Sequence, residues 1–247
     1  TGEDADAPPS RCTDGIAVVA ADSSPRDAAE RETVKRRAQA QFEKWALSYD
    51  RSLLNEIVFF PSIRRCQEEI TRWNAGRAGA TYRMLDVGCG TGTLLSLMAR
   101  DAKCERLIGL DYAQEMVRRA ASKFRESERA DCLQAVNGDA ERLPLRDASV
   151  DIVTCCNSFH HYPRQQAALD EFRRVLRPGG RLILIDGFRD NVIGWLVFDV
   201  GVEFVEKCVH HAGWSETRTG LAKAGFAECS QAKMGVLAPL LVSVATA

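Results

Sequence analysis

The segment Met84-Leu-Asp-Val-Gly-Cys-Gly-Thr-Gly92 constrains the fold of this chain more than any other. It begins as a short apolar strand and breaks into glycines at alternate positions, before the apolar helical run Leu94 to Met98. Glycine is favoured where the backbone turns tightly, and where another group comes closer than a side chain would allow. The segment therefore predicts a strand, a tight turn and a helix, with a ligand lying close to the turn.

A second apolar segment, Arg106-Leu-Ile-Gly-Leu110, ends in Asp111. In open α/β sheets, ligands bind at the carboxyl ends of the strands, and the turn after the first strand commonly holds an adenosine-bearing cofactor. A carboxylate at the end of the second strand can accept two hydrogen bonds from the hydroxyls of a ribose. Together the two segments predict that the protein binds a nucleoside cofactor.

The spacing of the glycines indicates which cofactor this is. The dinucleotide fingerprint is G-x-G-x-x-G, whereas here the pattern is G-x-G-x-G and Thr93 stands where that fingerprint has its third glycine. Asp86, just before the turn, would repel a pyrophosphate and would suit a cationic amino group. The string Leu85 to Gly92 resembles motif I of the class I S-adenosylmethionine-dependent methyltransferases.

Later segments resemble the same family in the same order. They are Gly138 to Leu145, whose acid meets the adenine amino group in the family; the fourth-strand segment Asp151 to Asn157; and Glu171 to Gly180 followed by Arg181 to Ile185. The resemblance is close over residues 80 to 190 and loose elsewhere. It is nearest to the subgroup similar to ubiquinone/menaquinone-biosynthesis C-methyltransferases, which has many small-molecule acceptors.

The periodicity of the sequence favours alternating strands and helices. Strands are predicted near 82–87, 106–110, 132–137, 150–156 and 181–186, and helices near 92–101, 113–128, 164–176, 191–209 and 215–224. Short strands separated by helices indicate parallel crossovers. The segments 226–234 and 237–245 are predicted to form a hairpin, which the resemblance places at the sheet edge. The predicted fold is therefore α/β: a Rossmann-like, doubly wound, seven-stranded sheet, mostly parallel with an antiparallel edge strand, with helices on both faces and an N-terminal helical extension.

Three regions are expected along the chain: a mobile tail (1–30), a helical lid (31–79) and the cofactor-binding methyltransferase domain (80–247). The tail is rich in Asp, Ala, Pro and Ser. In the lid, Trp45 and Tyr49 recur at helical spacing, and a similar segment in the family folds over the cofactor. Packing without a lid function is the alternative for these helices.

Composition excludes several classes of function. The 247 residues carry a net charge of −1, which provides no basic field for nucleic acid. No apolar run is long enough to span a membrane, although the segment 192–205 could form a core, an acceptor pocket or a shallow membrane contact. The acidic N-terminus does not resemble a signal peptide, and the nine cysteines show no disulfide or metal spacing. A cytoplasmic protein acting on a small molecule is expected, with no prediction for its oligomeric state.

The resemblance implies a set of residues that bind S-adenosylmethionine. Tyr112 and Met116 have helix packing as their alternative role. The set is Asp86, Gly88, Cys89, Gly90, Gly92, Asp111, Tyr112, Met116, Asp139, Ala140, Asn157 and Tyr49.

Methyl transfer mainly requires that the acceptor be aligned with the methyl group and that water be excluded. A general base helps when the acceptor must lose a proton, and histidine, with an ordinary pKa of about 6.5, is suited to this role. His160 and His161 follow the fourth strand, and Asp186 ends the fifth. These three are the candidate catalytic residues, with positioning of the loop as the alternative for the histidines. No metal site is predicted.

The sequence therefore predicts an S-adenosylmethionine-dependent methyltransferase acting at oxygen, carbon or nitrogen of a small, apolar or aromatic acceptor. The alternatives are a nicotinamide-dependent oxidoreductase on a similar sheet and a non-catalytic S-adenosylmethionine-binding module. Methylation of arsenite, raised by Cys155, Cys156 and Cys208, is a third alternative.

Overall fold

The computed structural model describes residues 29, 32, 33, 35, 36, 59–77, 79–187, 212–235 and 239–247. Most of the expected tail, the helical segment around Trp45 and Tyr49, and the expected helix 191–209 lie outside these residues.

A seven-stranded sheet with the order β3-β2-β1-β4-β5-β7-β6 lies at the centre of the molecule. β1 to β5 pair in parallel, whereas β7 is antiparallel to both β5 and β6. The predicted mostly parallel sheet is confirmed, and β7 lies one place in from the edge that β6 forms. The strands are β1 (Tyr82–Val87), β2 (Cys104–Asp111), β3 (Leu133–Asn137), β4 (Val150–Cys156), β5 (Leu176–Gly187), β6 (Ala227–Met234) and β7 (Leu240–Thr246).

The helices pack on both faces of this sheet. They are α1 (Phe60–Ala75), α2 (Thr93–Met98), α3 (Gln114–Arg125), α4 (Gln165–Val175) and α5 (Trp214–Lys223), with 3-10 turns at Ala130–Cys132 and Phe159–His161. Pro61 lies in the first turn of α1, where its missing N–H leaves no helical hydrogen bond unmade. No helix in the described part of the chain is long and apolar enough to cross a membrane.

Two apolar cores result, one on each face of the sheet. Met84 of β1 and Ile152 of β4 face the core beneath α1, α2 and α3, whereas Leu85 and Val153 face the core beneath α4 and α5. Successive side chains of a strand point to opposite faces, so the central strands must be apolar at nearly every position. This requirement explains why Asp86 and Thr154, two buried polar residues near the carboxyl ends of these strands, are informative about the site.

Two elements differ from their predicted bounds. α2 ends at Met98 rather than near residue 101. The amides of Arg100 and Asp101 donate to carbonyls three residues back, which closes a tight turn instead of extending the α-helix. β5 begins earlier than predicted, since Leu176 already pairs with Val150. Ile152 then pairs with Arg181, so residues 177–180 bulge out of the strand, with Gly179 at φ +75°.

Parallel pairing brings the carboxyl ends of β1 to β5 to the same edge of the sheet. The chain order reverses between β1 and β4, since β2 follows on one side of β1 and β4 lies on the other. A crevice at such a reversal is where doubly wound sheets bind ligands.

Candidate functional site

The loop after β1 is shaped by two glycines in the left-handed region, Gly88 (φ +73°) and Gly90 (φ +53°). A Cβ on Gly88 would lie 2.2 Å from Oγ of Ser158, so the loop after β4 packs directly against this backbone. A Cβ on Gly90 would meet no atom within 4 Å. Gly90 therefore borders open space that a bound molecule can fill, and a side chain there would intrude on it.

Gly92 allows close packing between two helices. It precedes α2 at φ +77°, and a Cβ there would lie 2.6 Å from the ring of Phe124 in α3. It is absent from the lining of the cavities described below, which are built from the described residues. The missing side chain lets the start of α2 approach α3.

Asp111, at the end of β2, is held by the loop that it faces. Its Oδ2 accepts a hydrogen bond from the Gly90 amide and its Oδ1 accepts one from the Ala113 amide, both at 2.9 Å. Burial raises the pKa of Asp111, although these hydrogen bonds act in the opposite direction. The carboxylate is thus fixed in position beside Gly90.

A cleft, which we call the main cleft, opens beside these residues. The structure brings together most of the predicted cofactor residues along its walls: Gly88, Gly90, Asp111, Tyr112, Met116, Asp139, Ala140 and Asn157, together with His161.

A second cavity, the side cavity, joins the main cleft at Gly88, Gly90, Cys156 and Asn157. Its wall contains the predicted residues Asp86 and Cys89, and the apolar side chains Phe59, Phe60, Ile63 and Leu94. Phe60 is 36% exposed and is the only exposed large hydrophobic side chain among the described residues.

Asp86 is a buried carboxylate in the wall of the side cavity. It is 4% exposed, and its Oδ1 accepts a hydrogen bond of 2.6 Å from the Thr154 hydroxyl. Burial raises its pKa to about 7; the Thr154 hydrogen bond lowers it and the nearby Asp111 charge raises it. A cation placed beside Asp86 would stabilise the ionised carboxylate and lower its pKa.

Asp139 and Glu141, in the loop after β3, share a cation from a distant part of the chain. Lys35 Nζ donates to Asp139 Oδ2 at 2.6 Å and to Glu141 Oε2 at 2.7 Å. Glu141 also accepts hydrogen bonds from the backbone amide of Arg164 at 2.7 Å and from its Nε at 3.0 Å. Lys35 and Glu141 both line the main cleft next to Ala140, and the sequence did not predict either of them as site residues.

Asn157 stands where the two cavities meet. Its backbone is left-handed at φ +54°, and its Nδ2 donates to the Ser62 hydroxyl of α1 at 2.6 Å. The contact fixes the start of α1 over the end of β4.

The three predicted catalytic residues lie close together. The backbone amide of His160 donates to Oδ2 of Asp186 at 2.8 Å, and its Nδ1 lies 2.5 Å from Oδ1. The rings of His160 and His161 are 4.0 Å apart between centroids. His161 lines the main cleft, whereas His160 and Asp186 are absent from the linings of both cavities.

The cysteines near the site behave as buried neutral thiols. Burial raises the pKa of Cys89 and Cys155, and a hydrogen bond with Cys66 together with burial raises that of Cys156. Thiols with raised pKa values are poor nucleophiles and poor metal ligands. This disfavours the arsenite alternative, whose third cysteine, Cys208, lies outside the described residues. The seven described cysteines are all free.

Of the predicted set, Tyr49 also lies outside the described residues. Ser158 and Tyr162 were not predicted, yet their hydroxyl oxygens lie 2.9 Å apart directly beneath Gly88. A serine and a tyrosine in the loop after β4 give no signal in the sequence that separates them from ordinary loop residues.

Comparisons with known proteins agree with this geometry. A methyltransferase domain family matches residues 85–184. The demethylmenaquinone methyltransferase of Listeria welshimeri is 32% identical over 165 residues, which are 66% of this chain and 68% of that protein. A ubiquinone/menaquinone biosynthesis C-methyltransferase of Ruegeria is 32% identical over 61% of this chain and 58% of its own length.

Solved structures show the same fold. A SAM-dependent methyltransferase from Aquifex aeolicus superposes with a TM-score of 0.61 at 20% identity, covering 83% of this chain and 97% of that one. The oxidoreductase alternative finds no support among these matches. The match at 32% identity covers more than two thirds of the Listeria welshimeri methyltransferase. The chain therefore belongs to the S-adenosylmethionine-dependent methyltransferase family, and S-adenosylmethionine is its cofactor.

Proposed function

We propose that this enzyme methylates a small, apolar or aromatic acceptor of the quinol or phenol class, at oxygen or carbon. The observation that carries this proposal is the junction of the two cavities at Cys156 and Asn157. Apolar and aromatic side chains line both cavities, with Phe59 and Phe60 in the side cavity and Tyr162 in the main cleft. The names of the two relatives, both quinone-biosynthesis methyltransferases, support the same class of acceptor.

The main cleft fits the cofactor because Gly90 leaves the space that its sugar would need. In our proposal Asp111 accepts hydrogen bonds from the ribose, while Tyr112 and Met116 contact the adenosine. Asp139 and the Ala140 amide read the edge of the adenine. When bound, S-adenosylmethionine supplies a methyl group that its sulfonium already activates.

Asp86 and Asn157 bind the amino-acid part of the cofactor in this proposal. The buried carboxylate of Asp86 pairs with the cationic amino group, because an unpaired buried carboxylate is costly and a cation offsets that cost. Cys89 supplies a small apolar wall beside it.

His161 is the proposed general base where the acceptor must lose a proton, since it is the candidate that lines the cleft. His160 and Asp186 act as positioning residues. Asp186 accepts hydrogen bonds from the backbone amides of His160 and Gly187, both at 2.8 Å, and thereby sets the backbone that carries both histidines. Asp186 therefore orients the base instead of serving as one.

The remaining expectations belong to the same proposal. The N-terminal segment (31–79) closes the site as a lid over the domain 80–247, while residues 1–30 are dispensable. The enzyme works in the cytoplasm on a small molecule and not on nucleic acid, and it contacts a membrane peripherally to reach an apolar acceptor.

A panel of reduced naphthoquinones, phenols and amines, assayed for S-adenosylhomocysteine release, tests the acceptor class. We expect release with quinols and phenols, and slower release from an Asp111→Asn variant at the same subsaturating cofactor concentration. Release with aliphatic amines alone would contradict the proposed class. Release with no acceptor of the panel would contradict it as well.

A further inference from the structure

The cluster of Lys35, Asp139 and Glu141 links two parts of the chain that lie far apart in sequence. Asp139 is 104 residues from Lys35, and Glu141 is 106 residues away. Both carboxylates belong to the loop that would read the adenine. The contact therefore joins the N-terminal segment to the adenine end of the main cleft.

Two of the three side chains in this contact are shielded from solvent. The side chain of Lys35 is 14% exposed and that of Glu141 is 1% exposed, whereas Asp139 remains 34% exposed. Shielded charges interact more strongly than exposed ones, and removing one partner leaves the others unpaired. Lys35 thus has a larger effect here than a surface lysine would.

The charges of the cluster balance. Lys35 and Arg164 are positive, and Asp139 and Glu141 are negative. Burial alone would lower the pKa of Lys35, but its hydrogen bonds to Asp139 and Glu141 outweigh burial and raise it. Lys35 therefore stays charged and holds together two carboxylates that would otherwise repel each other.

Asp139 keeps its orientation through two contacts. Its Oδ1 accepts the Glu141 amide at 2.9 Å, and its Oδ2 accepts Lys35 Nζ. Without Lys35, only the Glu141 amide would restrain the carboxylate, and Glu141 would lose one of its two cationic partners. The backbone of the loop would keep the hydrogen bond of 3.1 Å from the Arg142 amide to the Asp139 carbonyl, so the Asp139 carboxylate is the group that would lose its fixed orientation.

We propose that Lys35 is a positioning residue of the cofactor site, which fixes the Asp139 carboxylate for adenine. The inference rests on the proposed cofactor site.

Replacing Lys35 with methionine removes the charge and keeps most of the length of the side chain. We expect Lys35→Met to weaken S-adenosylhomocysteine binding about tenfold or more, while kcat at saturating S-adenosylmethionine stays within about threefold. Lys35→Arg should restore affinity to within about threefold, because it returns the charge. The matched control is Arg36→Met: Arg36 is the next residue on the same segment, is 74% exposed and pairs with Glu32, so binding should be unchanged.

A double-mutant cycle separates positioning from general stability. If Lys35 acts through Asp139, then Lys35→Met combined with Asp139→Asn should bind S-adenosylhomocysteine no more weakly than Asp139→Asn alone. Fully additive losses would overturn the inference. So would tighter binding in Lys35→Met, which would mean that Lys35 competes with the cofactor.

Two outcomes distinguish this inference from the proposed site. If the parent protein binds S-adenosylhomocysteine and Lys35→Met matches Arg36→Met, Lys35 has no positioning role and the site stands. If Asp111→Asn leaves parent-like binding intact, the proposed site itself is wrong.

Hydrogen exchange gives a reading in the parent that does not depend on the stability of a variant: amides 29–36 should gain protection when S-adenosylhomocysteine is added. Unchanged protection would also overturn the inference.

Discussion

The backbone amide of Gly90 donates a hydrogen bond of 2.9 Å to Oδ2 of Asp111, which ties the loop after β1 to the carboxylate at the end of β2. The two residues come from neighbouring parallel strands, and the register that pairs Val87 with Leu110 brings them together. The open space in front of Gly90 and the fixed carboxylate beside it form one wall of the main cleft. The first prediction follows from this pair.

Gly90→Ala should weaken S-adenosylmethionine binding about tenfold or more, because its methyl group would occupy cofactor volume. The backbone at Gly90 is left-handed, which adds a strain of about 1–2 kcal/mol when the residue carries a Cβ. Gly179→Ala is the matched control: Gly179 is at φ +75°, also has no atom within 4 Å of a Cβ, and lies in the bulge of β5. Equal affinities for the two variants in calorimetry would contradict the cofactor site.

Gly92→Ala should behave in the opposite way. Its methyl group would meet the Phe124 ring at 2.6 Å, so the overpacking should cost about 1–3 kcal/mol of unfolding free energy. Urea denaturation measures this loss, and cofactor affinity should fall less than it does in Gly90→Ala. A stable Gly92→Ala protein that does not bind cofactor would instead show that Gly92 acts mainly as a cofactor contact.

Cofactor affinity should depend on pH through Asp86. Its pKa is raised from 3.8 to about 7, so Asp86 favours the folded state at acidic pH and this contribution is lost as the pH rises through 7. A cationic amino group binds the ionised carboxylate, so affinity should rise between pH 6 and 8, by at most about tenfold per unit below the pKa.

Calorimetry at several pH values tests this dependence. Binding at pH 6 should release a proton, which changes the observed heat between buffers of different ionisation enthalpy. Asp86→Asn should bind weakly with a flat profile over the same range. The same slope in Asp86→Asn would assign the titration to another group.

His161→Ala should lower kcat on a phenolic acceptor about 10²- to 10⁴-fold with cofactor affinity nearly intact. His160→Ala and Asp186→Asn should each cause smaller losses, and the double variant should be no worse than either single one, because the two residues act as a unit. A loss below threefold in His161→Ala would leave this residue a packing role only.

Deleting residues 1–28 should leave methyl transfer within about twofold, because Lys35 remains. Deleting residues 1–58 removes Lys35 and the segment containing Trp45 and Tyr49, and should cost most of the turnover, since a sulfonium and an apolar acceptor react best when water is excluded. Retention of α1 in both truncations keeps the contact between Ser62 and Asn157. Full activity of the longer truncation would show that no lid operates.

The central part of the site was predictable because its signals are local. The alternate glycines and the acid that ends each strand specify the turn after β1 and the positions of Asp86, Asp111 and Asp139, since parallel strands share one carboxyl edge. Four of the five parallel strands were predicted within two residues of their observed ends, and β5 differs only through the bulge at 177–180.

The remainder depends on long-range contacts that no local pattern reports. The pairing of Lys35 with Asp139 and Glu141, and that of His160 with Asp186, require the tertiary fold. The place of β7 between β5 and β6 has the same cause, because a hairpin pattern does not indicate which of its strands joins the sheet. The packing of Gly92 against Phe124 also depends on the tertiary fold, and its predicted contact with the cofactor stays a prediction.

Calorimetric titration of Asp111→Asn with S-adenosylhomocysteine tests the central claim most directly. The variant keeps the shape of the side chain and one acceptor oxygen, but loses the negative charge that should hold the ribose. Hydrogen bonds to a charged group contribute about 1.5–3 kcal/mol each, so affinity should fall at least about tenfold. Affinity equal to that of the parent protein would contradict the account, because the cofactor would then bind elsewhere.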